Sequence, residues 1–347
     1  MIKVIAKYSL LLFCACCFCA VAAQTTAGAA TQKILKVYEG IKNEKLVIYN
    51  KYGDVEVRTW DKNKIEMHIT TSAQSTGPGS DKMLSKLVLI KDKRTENDIT
   101  CRTAIVSPAG TGTVSGTKNL QALQNCTVSY IVYLPKNIDL QINNQFGNIV
   151  MPDFDGHLAI DEQYGNFIAG KILSLDTFSI KIGDAYIRNL YYGSLRANGF
   201  DSIRIDTVSG NVECGLAGGR ILYVGLNKGL HNFTIKSDNI NKVIINCARN
   251  LDASFSISAI LSKFINLVPF IIKDNDNNPV KIPRSDTKQI SSAKPLRPDG
   301  DSSLILSKKK LEMLEYLSKK TTHFSGRAGN GSGTVSITVA FSYLRIQ

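Results

Sequence analysis

The sequence predicts an all-β protein, a single-stranded right-handed parallel β-helix (β-solenoid) with coils of about 18 residues. Gly147, Gly165 and Gly183 recur at this interval, each after a bulky apolar residue and before Asn or Asp. Apolar positions keep the same spacing, as Ile142 and Ile160 do. Between the glycines, apolar and polar residues alternate as in a strand. Repeated units that cannot bury their apolar faces alone stack on one another, which favours a solenoid.

The glycines of this repeat predict corners between strands. Gly and a following Asn or Asp tolerate positive φ at low cost, so Gly147, Gly165 and Gly183 are interpreted as structural corner residues. The same pattern occurs earlier, around Gly53. Gly210 follows Gly183 at a longer interval and is predicted to form a further corner of the same kind.

Residues 1–23 are predicted to be a signal peptide. Lys3 and Lys7 precede the apolar segment Leu10–Val21, and Val21-Ala22-Ala23 forms a small-residue cleavage site. A membrane helix needs about 20 consecutive apolar residues, and the apolar segment Leu10–Val21 is shorter than that. We therefore expect a cleaved signal, with no transmembrane span after its removal. Export is expected, with the periplasm, the outer-membrane surface and the extracellular space all compatible. Lipid attachment at a cysteine of this segment stays open.

The rest of the chain divides by composition. A helix is predicted at Ser307–Lys320, where leucines share one face. It is interpreted as a cap on the end of the solenoid, and the alternative is a basic amphipathic helix that lies on a membrane surface. The predicted segments are a flexible stretch (24–32), an N-terminal β part with a first strand-Gly-strand unit and a hairpin insertion (33–135), the central β-solenoid (136–270), a loop rich in Pro, Asn and Ser (271–303), and the helix with a closing strand of the same solenoid (304–347).

The chain is basic, with a formal net charge of +13, to which two lysines of the signal segment contribute. No basic block with interleaved aromatic residues occurs, so no nucleic-acid partner is expected. The charge favours an anionic envelope polymer, a polysaccharide or a surface protein as partner, although a solubilising surface explains it equally well. Trp60, Tyr191 and Tyr192 could stack on sugar rings or pack in the interior.

Four cysteines follow the signal segment. Cys101 and Cys126 lie in two strand-like runs on either side of a Gly/Ser/Thr-rich loop, which makes them a candidate disulfide in an oxidising compartment. Cys214 and Cys247 lie in apolar alternations and are predicted to be buried free thiols. No spacing typical of a metal or cofactor site occurs, so neither is predicted.

No catalytic site is predicted, since the sequence lacks a nucleophile elbow and a zinc-protease motif. Asp153, Asp155, Asp161 and Glu162 cluster near one predicted corner. Paired carboxylates can act as acid and base on sugars or hold calcium. The alternative interpretation is a solvated polar turn.

Several segments resemble one bacterial family. The similar segments are Leu46–Val57 followed by Trp60-Asp61, Val132–Pro135, the repeats at Phe146–Ile149 and Tyr164–Phe167, and Gly329–Gly333 with the last strand. They are similar to the "putative adhesin" family, also called auto-transporter adhesin head or toastrack-like β-solenoids, and the ending is of the Bacteroidetes type. The resemblance implies an exported right-handed β-helix, for which adhesion is a hypothesis by analogy. It supplies no functional residues.

The leading functional hypothesis is therefore an exported cell-envelope β-solenoid that acts as an adhesin or interaction scaffold without catalysis. One alternative is a β-helical polysaccharide-active enzyme, a lyase or glycosidase that would use the acidic cluster. The other is a periplasmic module that senses envelope stress.

Overall fold

The computed structural model describes residues 28–75, 84–85, 88–105, 123–268, 272–274 and 321–347. The predicted signal peptide, the predicted helix Ser307–Lys320 and nearly all of the predicted loop 271–303 lie outside these ranges. Residues 28–32 of the stretch predicted to be flexible belong to a strand. The described part is nearly all β, which confirms the predicted class. Within it, no helix has the length and apolar character needed to cross a membrane.

The described residues form 21 strands. In chain order they are β1 (Gly28–Glu39), β2 (Lys45–Asn50), β3 (Val55–Trp60), β4 (Lys64–Ser75), β5 (Val88–Arg94), β6 (Asp98–Ile105), β7 (Leu123–Pro135), β8 (Leu140–Phe146), β9 (Ile149–Met151), β10 (Phe154–Tyr164), β11 (Phe167–Ile182), β12 (Asp184–Asn198), β13 (Ser202–Ala217), β14 (Ile221–Asp238), β15 (Lys242–Cys247), β16 (Ala253–Ile260), β17 (Lys263–Asn266), β18 (Ile272–Asp274), β19 (Thr321–Ala328), β20 (Gly333–Ala340) and β21 (Tyr343–Ile346).

Alternating side chains give each strand an inner and an outer face. In β10, Leu158 and Ile160 are buried while His157 and Ala159 face outward. Successive side chains of a strand point to opposite faces, so the apolar residues of every second position reach the interior. The largest side chains there are fully buried, among them Tyr130, Phe154, Phe167, Phe178 and Phe233.

Parallel pairing follows the period of the sequence. Leu158 pairs with Leu140, and Asp184 pairs with Ser202, each with the residue one period away. This register places the repeated apolar positions of neighbouring strands beside one another, so the inner face is continuous from strand to strand. Small shifts in register occur between β10 and β11 and between β11 and β12.

Two parallel ladders contain most of the strands. The first has the order β6-β2-β8-β10-β11-β12-β13-β14-β20-β16. The second has the order β7-β3-β9-β11-β12-β13-β14-β15-β21-β17. The long strands β11 to β14 contribute to both. β19 then pairs antiparallel with β16, and β18 pairs antiparallel with β19.

The order of strands departs from chain order at both ends of these ladders. β20 lies between β14 and β16, so that Ile337 pairs with both Ile235 and Ile257. In the same way β2 lies between β6 and β8, and Ile48 pairs with both Cys101 and Ile142. The strands nearest the C-terminus are therefore hydrogen-bonded on both sides, where an edge strand would be exposed to fraying and foreign pairing.

By its contacts the chain splits into two compact units. The larger comprises Lys33–Thr70, Ile90–Ala104 and Val128–Gln347 and contains the ladders described above. The smaller comprises Met1–Gln32, Thr71–Leu89 and Ile105–Thr127. In its described part, the Thr71 hydroxyl, fully buried, donates to the Gln32 carbonyl at 3.5 Å, and the hydroxyls of Ser72 and Thr127 lie 2.7 Å apart.

Replacing Ile337 by Ala tests whether β20 is an interior strand. We expect Ile337→Ala to lower the free energy of unfolding by about 2–5 kcal/mol, because the side chain is buried between two neighbouring strands and its removal leaves a cavity. Thr338→Ala, at the adjacent half-buried outward position, is the control and should change stability by about 0.5 kcal/mol or less. Urea denaturation measures both. Equal, small effects would show that the C-terminal strand is a frayed edge.

Candidate functional site

Four of the predicted corner glycines stack in one column. The N–H of Gly147 donates to the Tyr164 carbonyl and that of Gly165 to the Ile182 carbonyl, both at 3.1 Å. A Cβ atom at Gly147 would overlap the Gly53 carbonyl oxygen, and one at Gly165 would overlap that of Gly147. The backbone approach from corner to corner therefore excludes any side chain. Gly147 also has φ of +129°, which L residues rarely adopt.

The Asn or Asp after each glycine joins one corner to the next. The Asp54 Oδ1 accepts from the backbone N–H of Asn148 at 2.7 Å and from its amide at 3.1 Å. The Asn148 side chain accepts two such bonds from Asn166, and Asn166 accepts from the N–H of Asp184 at 2.9 Å. These side chains satisfy backbone donors that the turn leaves without a ladder partner, which explains the residue type after the glycine.

The residues before the first three of these glycines form an aromatic column. The rings of Tyr52 and Phe146 stack with centroids 5.3 Å apart, and those of Phe146 and Tyr164 with centroids 4.9 Å apart. Phe146 and Tyr164 are 38% and 42% exposed. Because the ring faces contact each other, solvent reaches mainly the ring edges. The column is thus a stabilising feature of the corners and a poor platform for a sugar ring.

Gly210 does not belong to this column, so its predicted place in the repeat is wrong. It pairs with Leu230 within strand β13 and lies against Tyr191 and Tyr192. The corner that follows Gly183 is at Gly199, whose N–H donates to the Ala217 carbonyl at 3.0 Å. The glycine spacing was misleading because the long strand β13 contains a second bend with its own glycine at φ of +64°.

Two members of the acidic cluster are held in ion pairs. The Asp153 carboxylate lies 2.5 Å from the Arg188 guanidinium, and Asp155 lies 3.2 Å from both Lys136 and Lys171. Hydrogen bonds from Lys171 and Lys136 hold the pKa of Asp155 below its usual value. These carboxylates act as partners for surface cations that link neighbouring strands.

The other two acids face in opposite directions. Asp161 lies on the outer face of β10, whereas Glu162 is fully buried on the inner face, as strand alternation dictates. Asn144 donates to the Glu162 carboxyl at 2.9 Å. Burial disfavours the charged form and raises the pKa of Glu162 to about 7. The cluster predicted from sequence is therefore divided among an ion-paired surface, a free outer position and the interior, and does not form an acid–base pair.

Glu162 continues a buried polar column. Asn50 pairs with Asn144, and Asn144 with Glu162, in successive strands. Asn50 accepts from the Thr103 hydroxyl at 3.2 Å, and that hydroxyl lies 2.8 Å from the hydroxyl of Tyr130. Hydrogen bonding makes burial of these groups tolerable, and most of them are satisfied in this way.

The candidate disulfide between Cys101 and Cys126 is not formed in this structure, where all four described cysteines are free thiols. Cys101 is buried on the inner face of β6, and its Sγ contacts the Tyr130 hydroxyl at 4.0 Å. Burial raises the pKa of Cys101 to about 11 and that of Cys214 to about 12. Cys214 is buried as predicted, and Cys247 is only half-buried. An inward-facing thiol of this kind is unreactive.

Two of the three aromatic residues considered for sugar stacking, Trp60 and Tyr191, contact aromatic or charged protein groups, whereas Tyr192 is 42% exposed. Trp60 stacks on Tyr133 with ring centroids 5.2 Å apart, and the Lys62 ammonium lies 4.7 Å from the Trp60 ring centroid. Trp60 also donates to the Lys64 carbonyl at 2.9 Å. Tyr191 lies under the Lys171 ammonium, 5.8 Å from its ring centroid.

A pocket of about 230 Å³ lies on the outer face of strands β8, β10, β11 and β12. Among its lining residues, Ala159 and Ser194 have small side chains at outward positions, and longer polar residues lie beside them. It lies where the register shifts between strands, as is common beside binding sites. The lining residues are Gln141, Asn143, Ala159, Ile160, Asp161, Thr177, Phe178, Ser179, Ser194 and Arg196.

Sequence reasoning found one member of this pocket, Asp161, through the acidic cluster. It missed Asn143 and Arg196, since outward polar residues are expected on every strand and their convergence depends on the register of the repeat. Within the described ranges, no group of three His, Cys, Asp or Glu side chains comes together that could hold a metal ion.

Replacing Gly147 by Ala tests the contact between corners. Gly229 has a comparable φ of +110° but open space where a Cβ would lie, so Gly229→Ala is the matched control. We expect Gly229→Ala to cost about 1–3 kcal/mol of stability from backbone strain alone. Gly147→Ala should cost several kcal/mol more, since it adds a clash with the Gly53 carbonyl. Equal losses in thermal or urea denaturation would contradict the stacking argument.

Replacing Glu162 by Gln tests its burial. Because the pKa is raised from 4.5 in the unfolded chain to about 7, the folded state holds its proton more tightly. The wild-type stability should therefore fall by up to about 1.4 kcal/mol per pH unit as the pH rises between these values. Glu162→Gln should remove most of that slope in urea denaturation across this range, and the part that remains near pH 7 is expected from His157, whose pKa is also raised. Asp155→Asn is the control and should keep the wild-type slope there, since the pKa of Asp155 is shifted downward.

No family model matches the chain, and no curated protein matches it. Solved structures that it resembles are described as a "putative cell adhesion protein" from Clostridium sporogenes (11% identity, 91% of this chain and 98% of the other, TM-score 0.23), a "putative adhesin" from Bacteroides fragilis (12%, 62% and 94%, 0.27) and a "putative adhesin" from Parabacteroides merdae (11%, 64% and 95%, 0.27). These descriptions agree with the family that the sequence resembles. At these identities and TM-scores, function has to be argued from the residues of this chain.

Proposed function

We propose that the chain is an exported β-solenoid of the cell envelope that acts as an adhesin or interaction scaffold and performs no catalysis. The observation that carries the proposal is the parallel pairing of each repeat with the segment one period later. A parallel partner one period away requires the chain to complete one turn between the two strands, and a right-handed crossover is the strongly preferred hand.

The side chains support a binding role over a catalytic one. A retaining or inverting glycosidase needs two carboxyl groups that flank one bond. Here Asp153 and Asp155 are neutralised by surface cations, and Glu162 faces the interior. What remains is a stiff outer surface whose residues recur in rows at the strand spacing, which suits contact with an extended partner.

Export and the class of partner rest on the sequence. The basic n-region, apolar segment and small-residue cleavage site of residues 1–23 support secretion. The formal net charge of +13, or +11 without Lys3 and Lys7 of the predicted signal peptide, supports an anionic envelope polymer, a polysaccharide or a surface protein as partner.

The location is tested by protease treatment of intact cells, with a periplasmic protein as protected control in the same sample. We expect the chain to be cleaved while the control survives, because an adhesin must reach outside surfaces. Protection that ends only when the outer membrane is opened would contradict the adhesin role and favour a periplasmic scaffold or sensor. Turnover of a polysaccharide by the purified chain, lost in Asp153→Asn or Glu162→Gln, would contradict the absence of catalysis.

A further inference from the structure

Two opposite charges on the outer-face pocket lack partners. Asp161 and Arg196 form no ion pair or side-chain hydrogen bond with any residue that the structure describes. Both pair in register with Ser179 of β11, so they lie on the strands to either side of it. Strands are about 4.8 Å apart, which puts their Cα atoms about 10 Å from each other across the pocket.

Asp161 differs from several other carboxylates in having no cation partner among the described residues. Nearby carboxylates are engaged: Asp153 by Arg188, Asp155 by two lysines, Asp176 by His157. Asp161 and Arg196 are kept apart by a row of small hydroxyl residues, and the pocket of about 230 Å³ lies between them.

A third polar group of the pocket is incompletely satisfied. The side-chain nitrogen of Asn143 is buried and has no hydrogen-bond partner among the described residues. Asn143 pairs with Asp161 in the ladder, so its amide stands beside the free carboxylate. A buried donor without an acceptor is unfavourable, and a ligand oxygen that reached it would remove that penalty.

The size and chemistry of the pocket fit one class of ligand. Pockets for drug-sized ligands have volumes of roughly 300–1,000 Å³, so this smaller volume suits a single sugar ring. Carboxylate and amide groups bind hydroxyls, and the fork of an arginine binds a carboxylate through two parallel hydrogen bonds. With a hydroxyl-binding end at Asp161 and Asn143 and a carboxylate-binding end at Arg196, the groups match the two ends of a uronic acid.

We propose that this pocket binds one uronic-acid residue of an acidic polysaccharide, with Arg196 at the sugar carboxylate and Asp161 and Asn143 at its hydroxyls. This names the partner class of the scaffold and rests on the proposed function. The formal charge of the exported chain, +13 less Lys3 and Lys7, or +11, attracts the polyanion as a whole, while the pocket selects the sugar unit.

The experiment measures calorimetric binding of an oligogalacturonate, and of its methyl-esterified neutral form, to the purified full chain. Arg196→Gln should weaken oligogalacturonate binding about tenfold. Its matched control Arg220→Gln, an exposed arginine outside the pocket, should change affinity less than about twofold although it removes the same charge. The esterified form should bind the wild type weakly and be insensitive to Arg196→Gln.

A second pair of variants tests the proposed hydroxyl-binding end of the pocket at Asp161. Asp161→Asn should weaken binding, while Asp201→Asn, at an exposed corner residue, should not. Ser194→Gln should block binding by filling the pocket, and its unchanged thermal unfolding would show that the fold is intact.

Equal losses in Arg196→Gln and Arg220→Gln would overturn the proposal, since binding would then depend on net charge alone. Absence of oligogalacturonate binding by the wild type would overturn it as well. The protease test on intact cells is independent of this ligand, so a chain that is cleaved outside yet binds no uronate would refute the pocket and leave the adhesin role standing.

Discussion

Backbone contact at the corners is the constraint on which the rest of the structure depends. Each corner glycine presents its carbonyl oxygen to the space where the next glycine would carry a Cβ, as at Gly53 and Gly147. Only glycine permits this approach, so the spacing of the glycines sets the register of the strands. The apolar residues then fall into inner rows and the polar ones into outer rows, because side chains alternate from that fixed point. The stacked aromatic rings and the Asn–Asp bonds reinforce a position that the glycines already define.

The ends of the ladders follow a different rule. At the end of a ladder, the last strand can pair with any strand in which apolar and polar residues alternate. The strand that follows next in the sequence is not favoured over the others. At the C-terminal end β20 and β21 occupy the places beside β14 and β15, and the earlier strands β16 and β17 lie outside them. Strands β20 and β21, which would otherwise fray, therefore have a hydrogen-bonded strand on each side. The antiparallel strands β19 and β18 continue the ladder beyond β16.

The central strands, whose pairing follows the glycine repeat, could be predicted from the sequence, whereas the pairing at the ends of the ladders could not. The repeat around Gly147, Gly165 and Gly183 predicted the strand class and the register between neighbouring repeats, because glycine spacing and apolar alternation are local signals. The pairing of β2 with β8, between segments far apart in the sequence, has no local signal, and neither does the insertion of β20. The prediction for Gly210 was wrong for a related reason. A glycine indicates a bend, but the sequence does not show whether that bend is a corner of the glycine column or a second bend within a long strand. The candidate disulfide was inferred from the positions of the two cysteines in the sequence, without assigning the direction of the Cys101 side chain. In the structure that side chain points to the interior and the thiol is free.

The same register governs what the outer surface can recognise. Residues that are far apart in the sequence, such as Asn143, Asp161, Ser179 and Arg196, line up because each lies near one multiple of the period. A single strand carries one of them, so no short motif records the group. Row spacing is fixed by backbone hydrogen bonds at about 4.8 Å, and a rigid row of this kind loses little conformational entropy when it binds. Substitution of one outward residue then changes the chemistry of the surface while the glycine column, which faces none of these side chains, maintains the fold.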